Sequence, residues 1–198
     1  MFTGDLTSPE VRSWVENLGE RVVLVRGNMD YLPLPLHEKI VIEEVTLGVY
    51  HGHGIYPRGN IDGLARIALG LGVDLLASGH THLSFIRTDV TGKVLLINPG
   101  SATGAWSGEL ESGPPSLIVM DIEKNVLRAS ITYVSQDVLK HTTYVLEKKD
   151  RWFVYPRNRI DDSLVDGRYY NSVFPRYLKE YLFPYSNGHC IREVNEKR

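Results

Sequence analysis

The chain has 198 residues, enough for one good hydrophobic core but a squeeze for two. Its 42% apolar and 23% charged residues are those of an ordinary globular protein, and its net charge of −2 supplies no field to attract nucleic acid or an anionic membrane. Its one cysteine, Cys190, excludes an internal disulfide framework and fits a reducing compartment. With no apolar run near ~20 residues and no basic-then-apolar leader, the expectation is a cytoplasmic protein.

In chain order, Thr7 to Leu18 predicts a helix. Thr7 and Glu10 have capping-box spacing, Pro9 suits a first turn, and Val11, Trp14, Val15 and Leu18 share one face. Arg21 to Arg26 holds four consecutive apolar residues between glycines, the pattern of a strand buried on both faces. The prolines in Leu32 to Leu36 make a loop. Lys39 to Val45 and Leu47 to Tyr50 predict two strands. Asn60 caps a helix to Leu71, stopped by Gly72. Val73 to Ala77 predicts another buried strand, and Leu83 to Thr88 with Val94 to Ile97 a hairpin turning near Thr91-Gly92. Strands then dominate: Ser116 to Ile122, Val126 to Val134 and Thr142 to Leu146. Helices interleaved with strands early, and strands alone late, predict a mixed α/β sandwich of sheets with helices outside. Residues 149–198 are dense in Tyr and Phe, from Phe153 to Tyr185, and read as an extension of a domain spanning 1–148.

The ligand-type residues sit in a pattern. Asp5 follows Gly4 and Asn28 follows Gly27. His51 follows an apolar segment and precedes Gly52-His53. His80 and His82 frame Thr81 after Gly79. Each lies just past an apolar segment, and in open sheets such loops meet in one crevice. Taken singly, each residue reads as a turn former, a cap or a satisfied histidine. Together they point to a mixed nitrogen–oxygen cation site suited to manganese, iron, zinc, nickel or cobalt rather than calcium. Two such cations hold a hydroxide and clamp a phosphoryl group for in-line attack.

Gly4-Asp5, Gly27-Asn28-Met29-Asp30, His51-Gly52-His53 and Gly79-His80-Thr81-His82, in this order, resemble the calcineurin-like metallophosphoesterase signature. The stretch from Ile97 to Ala105, with Pro115-Ser116-Leu117 and Met120-Asp121-Ile122, is similar to the YfcE-type phosphodiesterases and the phosphoesterase-like subunit of the retromer. The resemblance covers about Met1 to Lys148. It implies a four-layer α-β-β-α sandwich with two cations at the strand ends. Asp5 would bridge them, Asn28, His51 and His80 would complete one site, and His82 would serve the other. Asp30 and His53 would stand in catalytic positions, Asp30 orienting a neighbouring ligand or capping its loop and His53 touching the substrate or facing solvent. Asn98 and Gly100 would lie near the substrate.

The family begins with a strand ending in Asp-x-His, whereas this sequence starts just before Asp5. The expectation is therefore a domain lacking its first strand and helix, with the second cation left short of ligands. Met29 stands where many members carry His; it offers no proton to a leaving group, and reads equally as packing. The resemblance implies hydrolysis of phosphodiester bonds in small organic phosphates or nucleotide-like substrates by a metal-bound hydroxide, with manganese foremost. The alternative is a catalytically impaired protein-binding scaffold like the retromer subunit. The extension offers a surface for a homo-oligomer or a protein partner, or it covers its own domain. A membrane is not expected as a partner, and the acidic balance disfavours nucleic acid. His37, His141, His189 and Cys190 fall outside the motifs and receive no role.

Overall fold

The computed structural model describes residues 1–108 and 113–155. His189, Cys190 and the aromatic residues from Tyr169 to Tyr185 lie outside the described residues.

Two sheets make the body. The first holds β1 (His37–Ile42), β2 (Val45–Tyr50), β3 (Leu75–Ser78), β4 (Ser84–Thr88) and β5 (Leu95–Pro99), in the order β1-β2-β3-β5-β4. β2, β3 and β5 run parallel, and β1 and β4 flank them antiparallel. The second sheet is an antiparallel meander of β6 (Ser116–Glu123), β7 (Val126–Ser135), β8 (Val138–Lys148) and β9 (Trp152–Tyr155). The helices are α1 (Pro9–Glu16) and α2 (Ile61–Leu71).

The central strands are buried on both faces, and alternation sorts their side chains. Leu47, Val49, Leu75, Ala77, Leu95 and Ile97 point between the sheets, where they meet Leu127, Ala129, Leu146 and Trp152. Leu76 and Leu96 point the other way and meet Leu64, Ala65 and Ala68 of α2. The expected mixed α/β sandwich of two sheets is thus present, with α2 on the outer face of the first sheet. No helix among the described residues covers the outer face of the second.

α2 starts and stops where the sequence predicts. Asn60 accepts from Gly63 N–H at 2.7 Å, and Gly72 closes the helix with φ 64°. α1 begins one residue later than expected. Its N-cap is Ser8, which accepts from Val11 N–H at 3.3 Å, and only Val15 is buried. Thr7 is taken out of capping by a φ of 63° and by donating its N–H to Asp30 at 2.8 Å.

One further expectation needs correction, and a second segment takes a form the sequence did not specify. Val23, Leu24 and Val25 are buried as predicted, yet the segment forms only one parallel bridge, Phe2 to Leu24, rather than a strand in a ladder. Its neighbour beyond Arg26 is the Pro35 carbonyl, which accepts Arg26 N–H at 2.7 Å. Prolines at 33 and 35 have no N–H to return, so pairing stops there. The second difference concerns residues 152–155, which the sequence places in the extension. They form β9, and Trp152 is buried with its indole N–H donating to Asp74 O at 2.8 Å.

Candidate metal centre

Parallel β2, β3 and β5 deliver their carboxyl ends to one rim, so the residues just beyond them become neighbours. His51 follows β2, His80 and His82 follow β3, and Asn98 and Gly100 end β5. Asp5 and Asn28 reach the same rim through the segments joined by the Phe2–Leu24 bridge.

His51 is the centre of the arrangement and is almost fully buried. Its Nδ1 is 2.7 Å from Thr3 O, and its Nε2 is 3.0 Å from Asn28 Oδ1 and 3.3 Å from Asp5 Oδ2. A carbonyl oxygen only accepts, so Nδ1 carries the hydrogen. Nε2 then presents a lone pair toward two oxygens that also carry lone pairs. Three electron-rich atoms converging on one point require a positive charge among them, either a proton on Nε2 or a cation. Fixing the tautomer through a backbone carbonyl is also how metal-bound histidines are oriented. The donor set therefore fits a divalent transition cation.

His80 adjoins this point, its ring 5.0 Å from that of His51. Burial, then Arg58, then His51 lower its pKa to about 4, which keeps it neutral and its lone pair available at neutral pH. Asp5 behaves as a carboxylate. Burial alone would raise its pKa, but hydrogen bonds from His51 and Met29 N–H outweigh it and the net shift is downward. His53 lies 5.5 Å from His51 ring to ring, and its pKa is lowered by burial and then by His51 and Arg26. Its Nδ1 is buried with no hydrogen-bond partner.

His82 is held apart. Its Nδ1 is 2.7 Å from Ala105 O, and among the described residues no hydrogen bond or ring contact joins it to His51 or Asp5. Nor, among the described residues, do three His, Cys, Asp or Glu side chains form a closed cation cage. Asp5 and His51 are completed by the amide of Asn28, and the cluster stays an open half-ring.

The supports explain how such a cluster stays in place. Asp30 is buried, and its carboxylate accepts three backbone N–H groups: Gly27 at 2.7 Å, Asp5 at 2.9 Å and Thr7 at 2.8 Å. It ties the Asp5 loop to the Asn28 loop. Asn98 is completely buried. Its NH₂ donates to Gly79 O and Thr81 Oγ1, while its oxygen accepts Gly100 N–H, so its amide braces the His80–His82 loop. Gly100 has φ 82°, and a Cβ there would meet Ser116 Oγ at 2.1 Å. Asp5, His80 and His82 all have left-handed backbones, at φ 60°, 69° and 58°, a conformation that side-chain-bearing residues hold only when the surroundings enforce it.

Sequence reasoning passed over Arg58 and Thr3. Arg58 donates from Nη1 to Ser107 O at 2.5 Å and to His80 O at 3.4 Å. The only hint was one cation between Pro57 and Gly59, close after the His51-Gly52-His53 motif. Thr3 contributes a backbone carbonyl, which no residue type could have announced.

Comparison with known proteins bears on the family and the fold. The family model described as the calcineurin-like phosphoesterase superfamily domain matches residues 1–125. A protein of Methanocaldococcus jannaschii named probable metallophosphoesterase is 46% identical over 100 residues, half of this chain and half of that one. The chain thus spans about half the length of that relative. Among solved structures, wild-type Vps29 of Entamoeba histolytica complexed with zinc is 30% identical, with a TM-score of 0.66 over 72% of this chain and 79% of that chain. A single mutant of the same Vps29 gives 0.68 with the same identity and coverage. A predicted phosphoesterase of Streptococcus pneumoniae, 21% identical with a TM-score of 0.54 over 72% of this chain and 80% of its own, shares the fold.

Proposed function

The chain belongs to the calcineurin-like phosphoesterase superfamily, and from that premise we propose that it hydrolyses phosphodiester bonds in small organic phosphates or nucleotide-like substrates. The supporting observation is the meeting of His51 Nε2 with Asn28 Oδ1 and Asp5 Oδ2 while Nδ1 is fixed by Thr3 O. Asn28, His51 and His80 would hold one divalent cation, Asp5 would be shared with a second, and His82 would serve that second. Manganese is the first candidate, with zinc, iron, nickel and cobalt behind it. Bound there, such cations bring the pKa of water toward neutrality and offset phosphoryl charge.

The chain's own residues set the rest. Hydroxide adds to phosphorus as the bond to the leaving oxygen breaks, and that oxygen takes a proton from solvent, giving a phosphomonoester and an alcohol. Met29 follows Asn28 and is exposed, with no proton to give. Leaving groups that need little protonation are therefore favoured. His53, whose Nδ1 is buried without a hydrogen-bond partner beside His51, is the side chain assigned here to contact the substrate. Asp30 and Asn98 act by positioning the Asp5 and His80 loops, and Gly100 leaves room beside them. The single cysteine fits work in the reducing cytoplasm.

A second reading, a protein-binding scaffold, draws on the likeness to Vps29 structures, one of them complexed with a cyclic peptide. It would use residues 149–198 as a surface for a partner or a second copy. Manganese-dependent turnover of bis-p-nitrophenyl phosphate separates the two. Turnover that disappears in His80→Ala supports the hydrolase. No turnover by a chain with cation demonstrably bound moves the function to the scaffold.

A further inference from the structure

His51 and His82 are oriented in the same way. His51 Nδ1 lies 2.7 Å from Thr3 O, and His82 Nδ1 lies 2.7 Å from Ala105 O. A carbonyl oxygen only accepts, so in both rings the hydrogen is on Nδ1 and the lone pair on Nε2. The two carbonyls are held differently. Thr3 follows Phe2, which the bridge to Leu24 fixes, whereas Ala105 lies in a turn where Ala102, Thr103, Ala105 and Trp106 are all exposed. Burial does not hold that turn, so polar contacts must. Ser101 is its fixed point. The Ser101 backbone is tied to the start of β6, where it forms a bridge with Pro115 and its carbonyl accepts Ser116 N–H at 2.8 Å. The same carbonyl accepts Gly104 N–H at 3.2 Å, and the Ser101 hydroxyl oxygen accepts Ala105 N–H at 3.0 Å. Ala105 is thus gripped at its N–H by Ser101 while its C=O meets His82.

We propose that Ser101 is a positioning residue for the second cation: through Ala105 it holds a carbonyl against His82 Nδ1, which keeps the Nε2 lone pair of His82 available as a ligand. The inference rests on the reading in which His82 serves a second cation, and it adds the residue that fixes that histidine's tautomer. A neutral imidazole in water exchanges its hydrogen between the two nitrogens, and the hydrogen bond made by one nitrogen decides whether the other can bind a cation. Loss of such an orienting partner lowers metal affinity by about 10- to 100-fold. Ser101 acts one step further out than the carbonyl itself, so the lower end of that range is expected. If the turn merely closed the chain, Ser101 would matter to folding and not to the tautomer of one histidine.

The test uses the full chain, first stripped of cations with a chelator and then titrated with manganese. In the stripped chain, at a mildly alkaline pH where histidine is neutral, ring-nitrogen NMR reads each tautomer, with His82 assigned from the spectrum of His82→Gln. The parent should carry hydrogen on Nδ1 at both His51 and His82. Ser101→Ala should lose that preference at His82 alone, with His51 as the internal check that the fold survives. Calorimetric titration with manganese should give two affinities in the parent. Ser101→Ala should weaken one of them by about tenfold and leave the other unchanged, and Ser101→Thr, which keeps the hydroxyl, should restore it. Hydrogen on His82 Nε2 in the parent, an unchanged His82 tautomer in Ser101→Ala, or a loss at both histidines overturns the proposal. So does equal weakening of both affinities, which marks a general loosening of the fold, or no weakening of either. If the parent binds a single cation, the two-cation reading fails and the tautomer decides. A change at His82 alone in Ser101→Ala then sustains the positioning role, and no change overturns it.

Discussion

The two ends of the first sheet are built on opposite plans. At the carboxyl ends of β2 and β3, Asp5, Asn28, His51 and His80 crowd together on loops held by side chains that grip backbone. At the other end, Asp74 fastens the two sheets: its carboxylate accepts Thr46 N–H at 2.8 Å and pairs with Lys148 at 2.8 Å, while its carbonyl accepts from Trp152. Left-handed residues show the same split. Glu43, Lys124, Gln136 and Asp137 lie in tight hairpin turns, where a positive φ matches the twist of the strands. Asp5, Thr7, His80 and His82 lie in no hairpin. Identical backbone geometry closes hairpins in one set of residues and holds the loops of the histidine cluster in the other.

The largest expected effect comes from loosening the site end without touching a ligand. Asn98→Ala removes the brace of the His80–His82 loop and should weaken manganese binding by about 10- to 100-fold, read by calorimetric titration. It should also cost about 1–3 kcal/mol of stability through orphaned buried partners. Affinity equal to that of the parent would show that the loop holds its shape alone. At the fastening end, Asp74→Ala should cost about 1–3 kcal/mol in urea unfolding, because Thr46 N–H loses its acceptor, while KM and manganese affinity stay unchanged. A parallel fall in cation affinity would mean that the two ends are not separable.

A smaller effect is expected on acidification. Burial alone would raise the pKa of Asp89, but hydrogen bonds from Thr91, Val94 and Lys93 outweigh it and the net shift is downward from 3.8. A carboxyl depressed in the folded state stabilises fully above its unfolded pKa and loses that contribution as pH falls through the folded one. Asp89→Asn should therefore melt below the parent at neutral pH, and the gap should close as pH drops under 3.8. A constant gap would assign the effect to lost packing. The smallest effect is Asp137→Gly, which relieves a left-handed residue in a hairpin and should raise stability by about 0.5 kcal/mol. His82→Gly relieves the same conformation but, on the proposed reading, should weaken manganese binding, so equal benefit at both positions would dissolve the contrast.

What could be read from the sequence follows the same division. α2 was legible from Asn60 to Gly72 because its cap, its apolar face and its stop are all local. The histidine loops were legible because glycine and ligand-type residues mark strand ends. Gly27, for example, leaves no room for a Cβ, which would meet Asp5 Oδ1 at 2.0 Å. Three features were not legible. Pairing at Val22 to Val25 depends on what lies beside the segment, and Pro35 ends it. β9 depends on an edge of β8 and on Asp74, 78 residues from Trp152. The grip of Asp30 on three backbone N–H groups and the inward turn of Asn98 are tertiary facts: the sequence offered Asp30 only as orienting a neighbouring ligand or capping its loop, and the resemblance put Asn98 near the substrate.

Anomalous diffraction from crystals of the full chain soaked in manganese tests the central claim most directly. A peak bonded to His51 Nε2 and Asn28 Oδ1, with His80 and Asp5 in its coordination sphere, is the result this account predicts. Manganese bound elsewhere, or His51 Nε2 still hydrogen-bonded to Asn28 and Asp5 under saturating manganese, would contradict it.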